Sequence, residues 1–404
     1  MGKTTMRYSS RSGQLGGPAA DNWGIHYEAT ARRREGHDVI LLTVGDPDQP
    51  TPDAVAAEAK ASIDRGHTRY AAVAGQENLR RAIAAHHKLL TGQTVDPSQV
   101  TVFAGAQCAL FAACQLLLDP GSEAIVLEPA YLTYRATVGA TGADAVPVPL
   151  RPERGFHLDP AELEAAITPA TRAILINSPN NPTGAVMRRA ELEAVAEACR
   201  RHDLWLISDE VYAGLVFEGE HLSPVALPGM AERTVVVSSL SKSHMMTGWR
   251  VGWLIGPQEL ARHAANLALA MLYGSPGFIQ DAATVALTTA LTEPAAAKET
   301  LRRRRDAVVR RLGQLPGLAC TPPAAGMFLM LDVRGTGLDA MGFARGLLDS
   351  EAVAVLPADA FGGAAEGHVR MSLTVPEDRL AEACNRIGRF VFRLGATSRR
   401  LATG

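Results

Sequence analysis

The sequence predicts an α/β fold in which a large domain carries a mostly parallel, seven-stranded sheet between helices, beside a smaller α/β domain. Three observations predict this. From Val100 onward, short apolar runs rich in β-branched residues alternate with helical patterns. The runs are continuously apolar, as is typical of parallel strands buried on both faces. The length of 404 residues also exceeds that of one ordinary domain.

The elements follow in chain order. In the large domain, the strands predicted from apolar runs are Val100–Phe103, Ala124–Leu127, Ala173–Ile176, Leu204–Ile207, Thr234–Val237 and Val251–Ile255. Between them, helical patterns predict a helix ending at Leu118, one from about Tyr131, and one at about Arg188–His202. Towards the C-terminus we predict strands Met327–Asp332 and His368–Leu373, and helices at about Pro294–Leu315, Leu338–Ser350 and Pro376–Leu394.

These elements predict four regions. Residues 1–20 form a flexible arm, and residues 21–54 contribute the N-terminal part of the small domain. Residues 55–300 form the large domain, and residues 301–404 form the C-terminal part of the small domain.

Composition excludes several classes of protein. Lys plus Arg is 40 and Asp plus Glu is 42, so we expect no nucleic-acid partner. No run of about 18 apolar residues predicts a membrane span, and the polar N-terminus lacks a signal sequence. The five cysteines have no CxxC spacing, so no metal site is expected and reduced thiols in a cytoplasm fit best. The basic run Arg302–Arg305 is interpreted as a solvated helix face.

Polar residues follow the predicted strands, where ligands bind in doubly wound sheets. Gly105, Ala106 and Gln107 stand at a helix start after the first strand and would hold a phosphate or be a plain helix N-terminus. Asn181 lies in the turn after the third strand, which is also consistent with a structural turn. Asp209 follows the fourth strand, either as a helix N-cap or as a buried carboxylate that pairs with a cation.

Lys242 and Arg250 flank two strands that are predicted to be buried, with Ser239 and Ser241 nearby. Burial of the strands weakens the alternative that these cations are surface side chains. A lysine, a phosphate cradle, a carboxylate and an aromatic ring are what pyridoxal 5′-phosphate requires. The lysine holds the aldehyde of the cofactor, and the carboxylate keeps its pyridine nitrogen protonated.

These motifs resemble those of the fold-type I pyridoxal-phosphate aminotransferases of class I/II, from about residue 40 to 375. The matching segments are Gly45–Asp48, Tyr70 with Gly75, Gly105–Gln107, Glu128–Tyr131, Asn181–Gly184, Ser208–Tyr212, Ser239–Lys242 with Arg250, and His368–Arg370.

The resemblance implies a role for each cofactor-binding residue. Lys242 would be the catalytic Schiff-base lysine and proton carrier, and Asp209 the partner of the pyridine nitrogen. Tyr212 and Asn181 would bond the ring hydroxyl, and Tyr131 would stack on the ring. The implied phosphate site comprises Gly105, Ala106, Gln107, Ser239, Ser241 and Arg250, together with Tyr70 from the neighbouring subunit of a homodimer.

The resemblance also implies a substrate site and a mechanism. Arg370 would bind the substrate α-carboxylate in a bidentate manner, helped by Asn181 and the backbone of Gly45. An amino acid and a 2-oxo acid would then react in turn, in a ping-pong mechanism. Tyr273 would enter the pocket of the partner subunit and Trp23 would cover the site, although ordinary packing explains both equally well.

A finer resemblance concerns the substrate. Four stretches, Trp23–Tyr27, Val102–Leu110, Ser239–His244 and Met271–Pro276, look like the arginine–pyruvate transaminase branch. A related aminotransferase of enduracididine biosynthesis is a close alternative. Both imply a guanidinium side chain, for which Glu28, Asp46 and Asp48 are candidate partners, or else ordinary loop acids. Gln49 stands where the family often has an aromatic residue, which disfavours an aromatic substrate.

Other functions remain open at this stage. Enzymes with the same cofactor site also eliminate, decarboxylate or oxidise, so the fold does not decide the reaction. A transcription regulator with an aminotransferase-like domain would need a DNA-binding module, for which we find no room before residue 40.

Overall fold

The computed structural model describes residues 6–9, 12 and 19–402, so most of the predicted arm at 1–20 lies outside the described residues. The helices are α1 Ala19–Arg34, α2 Asp53–Asp64, α3 Glu77–Thr91, α4 Ala106–Leu117, α5 Tyr134–Gly139, α6 Pro160–Ala166, α7 Arg189–Arg201, α8 Gln258–Met271, α9 Gly277–Thr288, α10 Glu293–Leu312, α11 Ala340–Glu351 and α12 Glu377–Ala402. The strands are β1 Ile40–Leu41, β2 Val100–Phe103, β3 Glu123–Glu128, β4 Asp144–Pro149, β5 Thr171–Asn177, β6 Trp205–Asp209, β7 Thr234–Ser239, β8 Gly252–Ile255, β9 Phe328–Asp332, β10 Val353–Ala354, β11 Leu356–Pro357 and β12 His368–Ser372.

The large sheet confirms the predicted mostly parallel, seven-stranded architecture. Its strand order is β2-β8-β7-β6-β5-β3-β4, and β8 runs in the opposite direction to the other six strands. Along β5, Ala173 and Leu175 pack against α4, α5 and α8, whereas Ile174 and Ile176 pack on the opposite face against α6 and α7. Apolar side chains cover both faces, which is why the strands are continuously apolar in sequence.

One strand of this sheet was not predicted. Strand β4 pairs with β3 at the edge of the sheet and contains Pro147 and Pro149. Its residues are mostly half-buried or exposed, so it lacks the continuous apolar run of the interior strands. Proline is tolerated in edge strands because fewer backbone N–H groups there are needed for pairing.

The small domain combines the two ends of the chain. Strands β11, β12 and β9 form an antiparallel sheet, and α10, α11 and α12 pack around its apolar core. Strand β1, in the predicted segment 21–54, pairs in parallel with β10, so that Ile40 lies opposite Val353. The structure therefore brings this N-terminal segment against the C-terminal part of the chain. The domain limits themselves stay a prediction.

The interpretation of Arg302–Arg305 as a solvated helix face is wrong for two of its residues. Arg304 and Arg305 on α10 are only 6% and 4% exposed. Each is buried because it has specific partners, which a charge pattern within one helix does not show. Among the described helices, none has both the length and the apolar character needed to cross a bilayer.

Candidate active site

A cavity of about 210 Å³ lies where the predicted site residues meet. The predicted residues that line it are Trp23, Gly45, Ala106, Gln107, Tyr131, Asn181, Asp209, Tyr212, Ser239, Ser241, Lys242, Arg250 and Arg370. Gly105 lies directly beside the cavity as the residue that precedes α4. Tyr70 and Tyr273 lie outside it.

The sheet explains why these side chains converge. Strands β5, β6 and β7 are adjacent and parallel, and they end at Asn177, Asp209 and Ser239. Asn177 was not predicted as a site residue, yet it ties two strand ends together. Its Nδ2 donates to the carbonyl oxygen of Asp209 at 3.0 Å, and its Oδ1 accepts from the backbone N–H of Asn181 at 2.8 Å. The turn that carries Asn181 is thereby fixed over the sheet edge.

Lys242 lies just beyond β7 with its amine directed towards the N-terminal segment. Its Nζ donates to the carbonyl oxygen of Gly45 at 2.7 Å. Burial lowers the pKa of Lys242 to about 8, and the positive charges of Arg370 and Arg250 lower it as well, against an opposing effect from Asp46. A substantial fraction of this amine is therefore neutral close to physiological pH, as a nucleophile or a base requires.

Asp209 is a buried carboxylate that lacks a cation. Its Oδ2 accepts a hydrogen bond from the hydroxyl of Tyr134 at 2.6 Å, and its Oδ1 accepts from the backbone N–H of Val211 at 3.1 Å. Burial raises the pKa of Asp209 to about 6, while both hydrogen bonds lower it. No described residue forms an ion pair with it. A positively charged ligand atom would supply the missing partner.

The residue Tyr134 was missed by the sequence analysis. Its side chain is fully buried at the start of α5, where its ring packs edge-to-face against Tyr131 with centroids 5.8 Å apart. Two aromatic residues three positions apart at a helix start are compatible with simple core packing. Its place in the cavity wall and its hydrogen bond to Asp209 show that Tyr134 contacts the site.

The N-terminus of α4 forms a tight cradle with β8. A Cβ atom added to Gly105, whose φ is +87°, would lie 2.3 Å from Nη2 of Arg250. A Cβ atom added to Gly252 would lie 2.6 Å from the backbone nitrogen of Ala106. Glycine at both positions lets the first N–H groups of α4 and the guanidinium of Arg250 approach one point, as anion binding requires.

Arg250 completes this cradle without an acidic partner. Its guanidinium donates to the carbonyl oxygens of Thr247 at 2.8 Å and Ala104 at 3.3 Å, and no described carboxylate pairs with it. The side chain of Gln107 does not point freely into the cradle, since it donates to Thr137 and accepts from Thr133. Gln107 can therefore contribute its backbone N–H.

Arg370 is held rigidly on β12. It is 3% exposed, and its two terminal nitrogens donate to Oδ1 of Asn181 at 3.0 Å and to the carbonyl oxygen of Thr43 at 2.6 Å. Its guanidinium lies 4.1 Å from the ring centroid of Phe328 and 4.8 Å from that of Phe361. The Nε atom is buried without a hydrogen-bond partner in the described part of the chain. Arg370 lines the cavity, and each terminal nitrogen has a second N–H group, so this oriented cation can bind a carboxylate there.

Two of the three acids suggested as partners for a guanidinium are already paired within the chain. Glu28 binds both Arg32 and Arg345. Asp48 receives two hydrogen bonds from Arg304, at 2.7 and 2.8 Å. For Glu28 and Asp48 these ion pairs favour the alternative that they are ordinary structural acids rather than partners of a substrate.

Asp46 differs from the other two acids. Its carboxylate accepts a hydrogen bond from the hydroxyl of Thr247, a residue of the cavity wall, at 2.6 Å. The residue is exposed and forms no ion pair with a described residue. Its negative charge is also near enough to act on the pKa of Lys242.

Tyr70 and Tyr273 form an exposed aromatic pair away from the cavity. Their ring centroids are 4.8 Å apart, and the two residues are 86% and 53% exposed. Among the described residues, neither tyrosine lines the cavity or forms a hydrogen bond with a residue that does. The structure of one chain thus leaves the roles suggested for them as predictions.

The donor set fits pyridoxal 5′-phosphate. A cradle of backbone N–H groups with Arg250 suits the phosphate, and Asp209 lacks the cation that a protonated ring nitrogen would provide. Lys242 lies on the wall of the same cavity with a lowered pKa. These are three separate requirements of one cofactor, and the cavity meets all of them.

Known proteins are similar to this chain over nearly its whole length. The sequence is 54% identical to arginine–pyruvate transaminase AruH of Pseudomonas aeruginosa, over 95% of this chain and 97% of that protein. It is 38% identical to an aspartate/prephenate aminotransferase of Thermus thermophilus, over 96% and 100%. The fold matches that of a solved Thermus thermophilus aspartate aminotransferase with maleate at a TM-score of 0.91 and 37% identity, covering 96% of this chain and 100% of the other.

A sequence model of the family described as aminotransferase class I and II matches residues 37–387. The match spans the glycine turn at Gly45, the lysine at position 242 and the arginine at position 370. This chain therefore belongs to the class I and II aminotransferases, which are pyridoxal-phosphate-dependent enzymes.

Proposed function

We propose that this aminotransferase transfers the α-amino group of arginine to a 2-oxo acid such as pyruvate. The identity of 54% to a relative named arginine–pyruvate transaminase supports this donor. Relatives and solved structures named aspartate aminotransferases are less similar in sequence, at 33–38% identity among those compared. The charges of the cavity also support arginine rather than aspartate as the donor.

The observation that carries the proposal is that the cavity wall has no cation left for a second substrate carboxylate. The cationic side chains of the described cavity wall are Lys242, Arg250 and Arg370. The cofactor aldehyde, its phosphate and the substrate α-carboxylate would occupy one each. The second carboxylate of aspartate would then have no cation on this subunit, and a buried unpaired charge is costly. A guanidinium side chain has the opposite charge and can pair with a carboxylate at the cavity mouth, such as Asp46 beside Thr247.

Asp46 is our candidate partner for the guanidinium group. It is the one of the three suspected acids that lacks an arginine partner among the described residues. Gln49, four residues beyond Gly45, keeps this segment polar rather than aromatic. Enduracididine carries a cyclic guanidino group and is therefore a second candidate donor.

The cofactor supplies a carbonyl that captures amino groups and a ring that accepts electrons. We propose that Asp209 keeps the ring nitrogen protonated, with Tyr134 stabilising the ionised carboxylate. Tyr131 stacks on the ring, and Tyr212 and Asn181 bond its hydroxyl. Gly105, Ala106, Gln107, Ser239, Ser241 and Arg250 hold the phosphate.

Lys242 would hold the cofactor in the resting enzyme and, once an amino acid displaces it, carry the proton from the substrate α-carbon. The lowered pKa leaves it able to accept this proton near neutral pH. Arg370, Asn181 and Gly45 bind the α-carboxylate, and Trp23 covers the cavity. Donor and acceptor occupy the same place in turn, so we expect ping-pong kinetics.

We further propose that the enzyme works as a homodimer in the cytoplasm. The exposed pair of Tyr70 and Tyr273 supports an interface, because monomeric proteins seldom leave adjacent aromatic rings open to water. In that dimer Tyr70 would reach the phosphate site of the partner subunit, and Tyr273 would enter its substrate pocket.

A panel of amino donors tests the proposed substrate. With pyruvate or 2-oxoglutarate as acceptor, arginine should give a higher kcat/KM than aspartate and than citrulline, a neutral analogue of nearly the same shape. Because the pair with Asp46 is exposed, Asp46→Asn should lower kcat/KM for arginine only about fivefold. Asp46 also acts on the pKa of Lys242, so citrulline should lose some activity too, but clearly less than arginine.

The matched control is Glu28→Gln, which alters an acid that arginines of the chain already occupy. It should not change the preference for arginine over citrulline. Aspartate as the best donor would contradict the proposed substrate, and equal losses for arginine and citrulline in Asp46→Asn would contradict the role of Asp46.

A further inference from the structure

An ion pair outside the cavity links the two sequence-distant segments that build the carboxylate site. Asp48 ends the turn that begins at Gly45, and Arg304 lies on α10 of the small domain. The guanidinium of Arg304 donates to both carboxylate oxygens of Asp48, at 2.8 and 2.7 Å. The side chain of Arg304 is 7% exposed and that of Asp48 is 23% exposed, so water screens this pair less than a surface pair.

Arg304 also contacts the strand that carries Arg370. Its Nη1 donates to the carbonyl oxygen of Leu373 at 3.1 Å, three residues beyond Arg370. One guanidinium therefore joins the turn at Asp48 to the end of β12. Its geometry needs the planar fork of arginine, because the carboxylate takes both terminal nitrogens.

The segment before Asp48 is attached to β12 along its length. The backbone N–H of Ser372 donates to the carbonyl oxygen of Leu42 at 2.8 Å, and Nη2 of Arg370 donates to that of Thr43 at 2.6 Å. The hydroxyl of Thr374 donates to the carbonyl oxygen of Val44 at 3.3 Å. Arg304 provides the last of these contacts, because it binds Asp48 at the point where the segment leaves β12.

The turn tolerates little movement. A Cβ atom on Gly45 would lie 2.1 Å from Cζ of Phe328, whose ring stacks on the guanidinium of Arg370. The carbonyl oxygen of Gly45 also accepts the hydrogen bond from Lys242. A shift of the turn would therefore move the carbonyl oxygen of Gly45 that binds Lys242. It would also disturb the Phe328 ring, against which the guanidinium of Arg370 lies.

We propose that Arg304 is a positioning residue, which holds the Gly45–Asp48 turn against β12 and thereby fixes the carboxylate-binding geometry of Arg370. The inference rests on the proposed role of Arg370 in binding the α-carboxylate. Every amino donor and every 2-oxo acid acceptor carries that carboxylate. Loss of Arg304 should therefore weaken binding of both substrates together.

Arg305 provides a matched control on the same turn of α10. It is 4% exposed, as buried as Arg304, but it points elsewhere. It donates to the carbonyl oxygen of Pro323 at 2.9 Å, pairs with Glu218 at 2.7 Å and lies over the ring of Phe217. None of these partners lines the cavity. Replacement of either arginine removes a buried cation, but only one of them touches the turn.

The experiment compares Arg304→Met and Arg305→Met in the full-length holoenzyme. Because weaker charge-assisted hydrogen bonds to the shared carboxylate lower affinity by about tenfold, Arg304→Met should raise KM about tenfold for the amino donor and for pyruvate alike. The kcat and the absorbance of the bound cofactor should change little. Arg305→Met should lower the melting temperature but leave both KM values unchanged. Arg304→Lys, which keeps the charge without the fork, should recover only part of the loss.

Asp48→Asn keeps the test decisive if Arg304→Met does not fold. It should raise both KM values in the same direction, and the double variant should be no worse than Arg304→Met alone, because one interaction is lost in each case. Unchanged KM values in Arg304→Met and Asp48→Asn, or an equal rise in Arg305→Met, would overturn the proposal. Arg370→Lys tests the carboxylate-binding role of Arg370 separately from the positioning role of Arg304. Unchanged KM values in Arg370→Lys would overturn the carboxylate-binding role.

Discussion

The chemistry of the site depends on two ionisable residues whose surroundings shift their pKa values towards each other. Burial lowers the pKa of Lys242 to about 8 and raises that of Asp209 to about 6. In each case burial disfavours the charged form. The consequences differ, because Lys242 must be neutral to react and Asp209 must be charged to hold a protonated ring nitrogen.

The pH dependence of cofactor capture tests the environment of Lys242. The neutral amine is the form that attacks an aldehyde, and its fraction rises as the pH passes through the pKa. The rate at which cofactor-free enzyme binds pyridoxal 5′-phosphate should therefore increase with pH and level off above about 8. Stopped-flow absorbance measures this rate, with Lys242→Ala as the control that should show no covalent capture. A midpoint near 10.5, the value of an ordinary lysine, would contradict the buried environment.

Sequence alone predicted those site residues that stand directly after apolar strands. Asp209 and Lys242 were found in this way because a charge just beyond a buried strand is unusual. Tyr134, Asn177 and Phe328 were missed, since their types are common in cores and turns. Their importance comes from contacts with residues distant in sequence, which no local pattern contains.

At the scale of elements, interior strands were easier to predict than the edge of the sheet. Strand β2 matches its predicted limits, and β5 begins two residues earlier than predicted, at Thr171. Strand β4 gave no signal, because an edge strand with two prolines needs neither a continuous apolar run nor every backbone donor. A strand is thus predictable from sequence where both of its faces are buried.

Helix α10 shows a different limit of local patterns. Four consecutive arginines predict a solvated face, yet Arg304 reaches Asp48, 256 positions away in the chain. A buried arginine is tolerated only where such partners satisfy it. The pattern gave no sign of Asp48, because that partner belongs to a turn at the other end of the sequence.

At the scale of the whole molecule, the structure describes one chain, whereas the proposed active site uses two. Tyr70 and Tyr273 lie together on the surface, outside the cavity of their own chain. In a dimer, Tyr70 would reach the phosphate site of the partner subunit and Tyr273 would reach its substrate pocket. The resemblance of the motifs suggested that two subunits share the site. Composition and periodicity could not suggest it, because they describe one chain.

Sedimentation equilibrium of the holoenzyme tests the dimer. We expect twice the chain mass of 42.8 kDa at micromolar concentration. Tyr273→Asp should weaken association, because it places a charge in the proposed interface. The matched change Phe392→Asp, at an aromatic residue of α12 that is 59% exposed, should leave association unchanged. A monomer at all concentrations, with full activity, would contradict the shared site.

The most direct test of the whole account is a half-reaction followed by the absorbance of the bound cofactor. Arginine added without an acceptor should convert the cofactor once and release a single equivalent of 2-oxo acid per active site. Pyruvate added afterwards should restore the first spectrum and yield alanine, and Lys242→Ala should show neither change. An unchanged spectrum, or steady release of ammonia or carbon dioxide without any acceptor, would contradict transamination by this site.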